Sequence, residues 1–388
     1  MPRKPSSERR PAAPQSEPAD AKRAPSLASL RSEIDRIDKD LVSLLNRRAE
    51  VALQIGQVKQ KQGIEVWSPV REDEVIGRAL SGSQGPLPNE TLRLIFRELM
   101  SGSRALQFQR NLRVASLGPK YSYSFLASIA MFGQAVEHVP VGSIAAVFEE
   151  VNRRHVQFGL VPMENSTDGR IAETLDMFVR LPGLKIRAEV RLRVHHCLLG
   201  RCEWGQVQRV YSKAQALSQC RHWIGKNLPQ ARQIDVVSTA AAAEHAAREE
   251  FAAAVASQAA AEAYHLNILA TNIEDQPHNV TRFAVIGEQS EQRTGRDKTT
   301  LMLRLPNDPG ALLKAIAPLE KNGVNMTWIE SFPASDAPPE RNPTYLFFID
   351  IVGHVDDEVV KRAIELVRKR CERLEILGSY PRGETIET

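Results

Sequence analysis

Two cations on one predicted helix are spaced to bind a small anion. Arg48 and Lys59 are eleven residues apart, which corresponds to about three helical turns and a rise of ~16 Å along one face. Such a pair can grip a small dianion from both ends, hold it in a compact conformer and stabilise negative charge that develops on an oxygen. A rearrangement that needs no nucleophile and no cofactor is one reaction that such a site could promote.

The position of Arg48 favours a binding role. It falls at a gap in an apolar stripe, where an unpaired charge is costly unless a ligand or a carboxylate meets it. Arg31 lies about 25 Å from Arg48 along the helix, so it can join the same site only from an antiparallel partner chain. The alternative is a coiled coil whose Arg and Lys side chains only solvate its edge. The stripe consists of residues 30, 34, 37, 41, 44, 51, 55 and 58.

Hydroxyl and amide side chains occupy two further kinds of position. Ser103 and Gln107 extend the apolar stripe made by Phe96 and Met100. In the middle of the chain, four strand-to-helix turns carry such side chains, and the free N–H groups of the helices would make them a carboxylate-binding cleft at one sheet edge. Ordinary helix capping is the alternative. The turns are Ser122 to Ser124, Asn165 to Thr167, Ser212 to Gln215, and Ser238 with Thr239.

Three regions must position these residues. Residues 27–110 have helical periodicity, with helices predicted near 27–62, 69–81 and 88–109, the first long enough to pack against a second copy of itself. From 112 to about 290, strand-like runs alternate with helical segments, as in α/β proteins with a parallel or mixed sheet. Within it, VRLRVHHCLLG reads as one strand. After a linker at 287–298, the order strand, helix, strand, strand, helix, strand is ferredoxin-like.

Composition limits the other classes of protein. No apolar run approaches the ~18–20 residues of a membrane span and no signal-peptide core is present, so we expect a cytoplasmic protein without membrane contact. Residues 1–25 are predicted to be a disordered tail, and the remainder is too nearly neutral for nucleic-acid binding. The four cysteines are expected to be free thiols. Neighbouring positions on one strand point to opposite faces, so His195, His196, Cys197 and Cys202 cannot all converge, and no metal is predicted.

The N-terminal region resembles the all-helical chorismate mutases of bacterial bifunctional enzymes. LRSEIDRIDKDLVSLLNRRAEVALQIGQVK, the PVRE segment and the third helix carry the similarity. The resemblance implies a role for each matching residue: Arg31 of the partner subunit, Arg48 and Arg71 for the substrate carboxylates or their support, Lys59 and Gln107 for the ether oxygen, and Glu72 with Ser103 beside it for the ring hydroxyl. Ser68, a predicted helix N-cap before Pro69, stands where some relatives have an aspartate.

The middle region resembles the prephenate dehydratases, whose fold looks like a two-lobed periplasmic binding protein. GLVPMENSTDGRIAETLD, the HHCLL run and NVTRFAVIG carry this similarity. Thr281 falls in the family's Thr-Arg-Phe signature, which implies that its hydroxyl assists departure of the ring hydroxyl as carbon dioxide leaves. Tyr121 replaces a family glycine, and Lys213-Ala214 replaces a His-Pro pair. The implied substrate-binding residues are Ser122, Asn165, Ser166, Thr167, Gln215, Arg282 and Phe283.

The C-terminal region resembles the ACT domains attached to these dehydratases. NDPGALL is similar to their ligand-binding turn, and Glu330-Ser331-Phe332-Pro333 is similar to their Glu-Ser-Arg-Pro segment except at the third position. The resemblance implies phenylalanine binding by Gly310, Ala311, Leu312, Leu313, Glu330 and Ser331. The alternative is a structural dimerisation domain.

Patterns and resemblances together predict a multidomain fold. Its parts are an all-α chorismate mutase domain at 26–110, an α/β two-lobed dehydratase domain at 111–290, and an α+β ferredoxin-like ACT domain at 298–380. The predicted function is conversion of chorismate to prephenate and then to phenylpyruvate, without a cofactor, under regulation by phenylalanine, in a homodimer or homotetramer. The alternatives are a prephenate decarboxylase, an arogenate dehydratase and a non-catalytic, amino-acid-responsive regulator.

Overall fold

The computed structural model describes residues 26–108, 112–167, 169–333 and 345–387, with the backbone alone at 332 and 333. The tail predicted at 1–25 lies outside these residues. The chain divides into two units, one ending at Val51 and the other beginning at Ala52. In the part of the chain that is described, no helix is both long and apolar enough to span a bilayer.

The N-terminal region contains the three predicted helices, α1 (Leu27–Lys61), α2 (Pro69–Gly82) and α3 (Asn89–Gln107). Ser68 caps α2 as expected, because its Oγ accepts a hydrogen bond from Arg71 N at 3.3 Å. The apolar stripe of α1 is exposed within the single chain, where Leu30 is 42% and Ile34 57% exposed.

The middle region alternates strands and helices as the sequence predicts. In chain order these are β1 (Arg113–Leu117), α4 (Tyr123–Phe132), β2 (Glu137–Val141), α5 (Ile144–Asn152), β3 (Phe158–Asn165), β4 (Gly169–Arg170), α6 (Ala172–Arg180), β5 (Lys185–Arg193), β6 (Cys197–Gly200), β7 (Arg209–Ser212), α7 (Ala214–Gln219), α8 (Arg221–Asn227), β8 (Arg232–Asp235), α9 (Thr239–Arg248), β9 (Ala252–Ala256), α10 (Gln258–Tyr264), β10 (Asn267–Ala270) and β11 (Val280–Gly287).

The C-terminal region has the predicted order of elements. They are β12 (Asp297–Arg304), α11 (Ala311–Lys321), β13 (Met326–Pro333), β14 (Tyr345–Val352), α12 (Glu358–Arg368) and β15 (Arg373–Pro381), followed by a short β16 (Thr385–Ile386).

These strands form three sheets. A seven-stranded mixed sheet has the order β16-β5-β11-β3-β1-β2, with β4 paired to β3, and a five-stranded mixed sheet has the order β10-β6-β9-β7-β8. The central strand β3 is almost wholly buried, which explains its continuous apolar sequence. The two sheets are the cores of two lobes, so the predicted two-lobed α/β architecture is confirmed.

The run VRLRVHHCLLG is not one strand, contrary to the prediction. Strand β5 ends at Arg193 and β6 begins at Cys197, and the two strands belong to different sheets. Between them, Glu274 accepts a hydrogen bond from His196 N at 2.9 Å and contacts His195 Nδ1 at 2.7 Å. Both halves are buried strands, so hydrophobic periodicity alone cannot reveal that the chain passes from one lobe to the other here.

The C-terminal sheet, of order β13-β14-β12-β15, packs directly on the seven-stranded sheet. Met302 and Phe348 share a buried core with Ile186 and Ile286. A β-carbon at Gly378 would overlap the carbonyl group of Ile186, so this close approach requires glycine. The opposite face of the C-terminal sheet is covered by α11 and α12.

Candidate active sites

A cleft of about 710 Å³ lies between the two lobes. The sequence pattern predicted that the turns lining it lie at one sheet edge, but they come from both mixed sheets. Strands β1 and β3 belong to one sheet, and β7 and β8 belong to the other. A ligand in the cleft would therefore be contacted from two sides. The predicted residues that line it are Ser122, Ser124, Asn165, Gln215, Ser238, Thr239, Thr281 and Phe283.

Asn165 orients the hydroxyl of Thr281. Asn165 Nδ2 donates to Thr281 Oγ1 and to Asn279 Oδ1, both at 2.8 Å, while Asn165 Oδ1 accepts from Thr167 N at 2.9 Å. A backbone N–H can only donate, so the bond from Thr167 fixes which way the Asn165 amide faces. Because Thr281 Oγ1 accepts a hydrogen bond from Asn165, its own proton points elsewhere and can be donated to a ligand in the cleft.

A second layer of hydrogen bonds lies behind this pair. Asn279 Nδ2 donates to Gln219 Oε1 at 3.0 Å, and His196 Nε2 lies 2.9 Å from the same oxygen. Burial lowers the pKa of His196, which favours a neutral ring. Tyr123 OH lies 2.9 Å from His196 Nδ1, and burial raises the pKa of Tyr123. Sequence reasoning missed Gln219 and included Tyr123 only as part of the turn from Ser122 to Ser124, because no local pattern connects either residue to Thr281.

Arg282 points away from the cleft, since neighbours on a strand face opposite sides. Its Nε donates to Glu189 at 2.9 Å, and its second terminal nitrogen lies 2.7 Å from Asp350 and donates to Tyr380 OH at 3.0 Å. Burial opposes its charge, but Tyr380, Asp350 and Glu189 raise the pKa of Arg282 overall. Arg282 was predicted to bind substrate in the cleft, but it lines a different cavity, of about 430 Å³, beside the C-terminal sheet.

Ser166 and Thr167 also lie outside the cleft lining. Ser166 Oγ donates to His278 O at 3.0 Å and accepts from Val280 N at 2.9 Å, so it closes the junction between β3 and β11. Thr167 acts through its backbone N–H on Asn165. Both residues therefore support the Asn165–Thr281 pair from behind.

Tyr121 links the two lobes. Its φ of 67° lies in the left-handed region, which a glycine would occupy without strain. The ring centroid lies 5.9 Å from that of Phe125 in α4 and 6.1 Å from that of Tyr264 in α10. The replacement of a family glycine thus adds an aromatic contact between the lobes and strains the backbone.

Lys59 is held by the α1–α2 loop, residues 62–68. Its Nζ donates to the carbonyl oxygens of Glu65 at 3.2 Å and Val66 at 2.8 Å. Burial lowers the pKa of Lys59, although Glu72 and Glu65 act in the opposite direction. The ammonium group is therefore half-buried and oriented.

Glu72 is paired with a residue that the sequence analysis did not identify. Its carboxylate accepts a hydrogen bond from Arg104, which also donates to the carbonyl oxygen of Phe132. Burial raises the pKa of Glu72, and Arg104 opposes that shift. Arg104 follows Met100 by four residues on the apolar stripe of α3, which is the same signal that singled out Arg48.

The remaining predicted mutase residues lie as follows. Ser103 is buried and its Oγ donates to Leu99 O at 2.7 Å, and the side chain of Gln107 packs against Gly56 of α1. Arg71 pairs with Glu74 at 2.7 Å on an exposed face. Lys59, Glu72, Ser103 and Gln107 belong to the unit that begins at Ala52, whereas Arg31 and Arg48 belong to the unit that ends at Val51.

A third cavity, of about 210 Å³, lies at the start of α11. Of the predicted regulatory residues, Gly310, Ala311 and Leu312 line it, and Gly310 has a φ of 77°. Leu313 is 70% exposed, and Glu330 pairs with Arg170 at 3.2 Å. Glu330 and Ser331 are not part of this cavity lining.

These features define a class of protein, an enzyme in which a two-lobed catalytic domain of the periplasmic-binding-protein type follows a helical domain. The family model for chorismate mutase type II matches residues 30–108, and that for prephenate dehydratase matches residues 114–291. The bifunctional chorismate mutase/prephenate dehydratase of Aquifex aeolicus is 40% identical over 92% of this chain and 98% of its own length. The chain belongs to the bifunctional chorismate mutase/prephenate dehydratases, and it catalyses both reactions in phenylalanine biosynthesis.

Two solved structures resemble most of the chain. A prephenate dehydratase from Arthrobacter aurescens in complex with L-Phe is 31% identical, covers 70% of this chain and 90% of its own, and has a TM-score of 0.64. GqqA, described as a quorum quenching acylase, is 30% identical, with 70% and 98% of the two chains covered and a TM-score of 0.63. Because the fold also occurs with another described activity, the fold alone does not decide the reaction. The family assignment rests on the full-length relatives.

Proposed function

We propose that chorismate rearranges in the helical region and that prephenate loses water and carbon dioxide in the cleft between the lobes. The observation that carries the second assignment is the hydrogen bond from Asn165 to Thr281, which leaves the threonine proton for the substrate. We further propose that the enzyme acts in the cytoplasm, with domains at 26–110, 111–290 and 298–380.

In the helical region, Lys59 and Gln107 donate to the ether oxygen of chorismate, where negative charge develops as the bond breaks. The half-buried ammonium group of Lys59, oriented by two carbonyl oxygens, supports this role. The substrate carboxylates are bound by Arg48 and Arg71 of one chain and by Arg31 of the partner subunit. Glu72 and Ser103 bind the ring hydroxyl, and Ser68 lies at the rim of the site.

A second copy of the chain completes the mutase site in this proposal. The exposed apolar stripe of α1 is the surface through which two chains pack, since an isolated helix does not keep such a stripe in water without cost. Antiparallel packing carries Arg31 of the partner subunit toward Arg48. We expect a homodimer or homotetramer in analytical ultracentrifugation.

In the cleft, Thr281 donates a hydrogen bond to the departing ring hydroxyl of prephenate. A threonine hydroxyl is a weak acid, so aromatisation supplies the driving force. The ring carboxylate leaves as carbon dioxide, and the hydroxyl leaves as water after taking one proton through Thr281, whose own proton is restored from solvent. Helix N-termini and their capping side chains hold the carboxylates. Ser122, Gln215 and Phe283 complete the lining, and phenylpyruvate is the product.

The C-terminal region acts as an ACT domain that binds phenylalanine. The cavity beside Gly310, Ala311 and Leu312 supports this assignment, as does the L-Phe complex of the Arthrobacter dehydratase. Leu313, Glu330 and Ser331 would reach the ligand across an interface between two chains.

The experiment is incubation of the purified protein with chorismate, following chorismate loss and phenylpyruvate formation. Lys59→Ala is expected to lose ~100-fold or more in mutase turnover and to dehydrate added prephenate normally, because one preorganised donor often contributes ~3–4 kcal/mol. Thr281→Ala is expected to accumulate prephenate, whereas Thr281→Ser keeps part of the activity. Wild-type mutase turnover in Lys59→Ala, or wild-type dehydration in Thr281→Ala, would remove the corresponding role.

A further inference from the structure

We propose that Trp67 is a positioning residue for the mutase reaction. The dehydratase core holds Trp67, and Trp67 fixes the α1–α2 loop whose carbonyl oxygens orient Lys59. This inference rests on the proposed role of Lys59 in the mutase site.

Trp67 belongs physically to the dehydratase core, although it lies between two mutase helices in the sequence. Its side chain is 1% exposed. The ring centroid lies 4.9 Å from that of Phe132 in α4 and 4.5 Å from that of Phe158 in β3. The same cluster includes Val190 of β5 and Phe283 of β11. The α1–α2 loop is therefore anchored in the lobe that carries Thr281.

A buried charge holds the same loop from a second side. The guanidinium group of Arg187, in β5, lies 5.7 Å from the centroid of the Trp67 ring. Arg187 pairs with Glu65 of the loop at 2.8 Å, and its Nε donates to Glu291 at 2.5 Å. Arg187 is only 2% exposed, so it requires both carboxylates. Ring and ion pair together restrain two of the seven loop residues.

This restraint reaches Lys59 through the backbone. The oxygens that accept from Lys59 Nζ belong to Glu65 and Val66, and Val66 is bonded to Trp67. When Trp67 moves, the acceptors move with it. A displacement of about 1 Å in a catalytic group can lower a rate ~100-fold.

The lobe that carries Thr281 also holds α3, through contacts separate from those of the α1–α2 loop. Ala135 N donates to Ser101 Oγ at 3.2 Å, and Arg104, the partner of Glu72, donates to the Phe132 carbonyl oxygen. The helix that carries Ser103 and Gln107 and the loop that orients Lys59 therefore rest on the same lobe.

The test uses full-length Trp67→Leu, with Trp67→Phe as a milder variant in case the first does not fold. A matched control is Phe148→Leu, which removes a similar buried ring that contacts Phe178 in a different cluster. Mutase kcat is expected to fall about 10- to 100-fold in Trp67→Leu and less in Trp67→Phe. Dehydration of added prephenate is expected to stay within about twofold of wild type, and Phe148→Leu is expected to keep its mutase kcat. Circular dichroism establishes that each variant is folded at the assay temperature.

A double-mutant cycle with Lys59→Ala separates positioning from general destabilisation. If Trp67 acts through Lys59, Trp67→Leu changes mutase kcat by less than about twofold once Lys59 is absent. Equal losses in the two backgrounds, a parallel loss of both activities, or an unchanged mutase kcat in the folded Trp67 variants would overturn the inference. Wild-type mutase turnover in Lys59→Ala alone would instead overturn the proposed role of Lys59.

Discussion

Asn165 Nδ2 donates to Thr281 Oγ1 across 2.8 Å, between directly paired residues of β3 and β11. Replacing Asn165 with Asp turns this donor into an acceptor, so the Thr281 proton is expected to point to residue 165 and not to the substrate. We predict that Asn165→Asp lowers the dehydratase kcat ~100-fold or more, while the mutase kcat stays unchanged. A spectrophotometric phenylpyruvate assay measures this, and dehydration within a few-fold of wild type would contradict the proposed direction of the bond.

The mutase reaction is predicted to lose activity at a lower alkaline pH than the ordinary pKa of a lysine would give. Lys59 acts in its charged form, and burial lowers its pKa from the ordinary value of 10.5. Activity is therefore complete below that lowered pKa and is lost as the pH rises through it. Lys59→Arg, whose guanidinium stays charged, is expected to move the alkaline limb upward even if its kcat is lower. Coincident alkaline limbs in the two proteins would assign the titration to another group.

Tyr121 offers a direct measurement of backbone strain. Tyr121→Gly and Tyr121→Ala both remove the ring contacts with Phe125 and Tyr264, but only glycine accepts a φ of 67° without strain. We predict that Tyr121→Gly is more stable than Tyr121→Ala by about 1 kcal/mol. The order is opposite to that expected at an ordinary position. Urea titration followed by dehydratase activity compares the two, and a more stable alanine variant would show that the strain is relieved by neighbours.

Phenylalanine inhibition is predicted to be weak in the wild-type protein. Effector binding acts only through different affinities for two states, and couplings of ~1–3 kcal/mol change apparent affinity by ~5–150-fold. Phe332 stands where the ACT resemblance has an arginine, so a donor fork is missing. Phe332→Arg is expected to lower the phenylalanine concentration for half-inhibition. Calorimetry and rate titrations test this, and the absence of binding heat in both proteins would leave the C-terminal sheet as a structural module.

Local periodicity predicted much of the fold. The helices α1 to α3 agree with the pattern because each buries or exposes a stripe that repeats every three or four residues. Hydroxyl and amide side chains at strand-to-helix turns likewise led to the cleft, since a turn is read from adjacent residues. Thr281 required the resemblance, because a threonine in a strand carries no signal of its own.

Contacts between distant segments were beyond the sequence pattern. Arg282 meets Asp350 and Tyr380, which lie in other strands far along the chain. The passage from β5 to β6 between lobes is hidden in a continuous strand-like run. Trp67 also carries no local sign that its ring packs beside Phe132 and Phe158. Each of these depends on which surfaces meet after folding.

Because Trp67 is buried in the dehydratase core, the boundary between the two enzymes in the sequence differs from the boundary between them in the folded structure. The family models leave residues 109–113 between them, where a recombination crossover would be placed. In a chimaera joined there, residue 67 comes from one parent enzyme, whereas the residues that pack around it, Phe132, Phe158 and Arg187, come from the other. Hybrids that receive a foreign helical region but keep their own α1–α2 loop are therefore expected to be more active than hybrids in which the whole helical region is exchanged. The two enzymes are also expected to diversify as a matched pair.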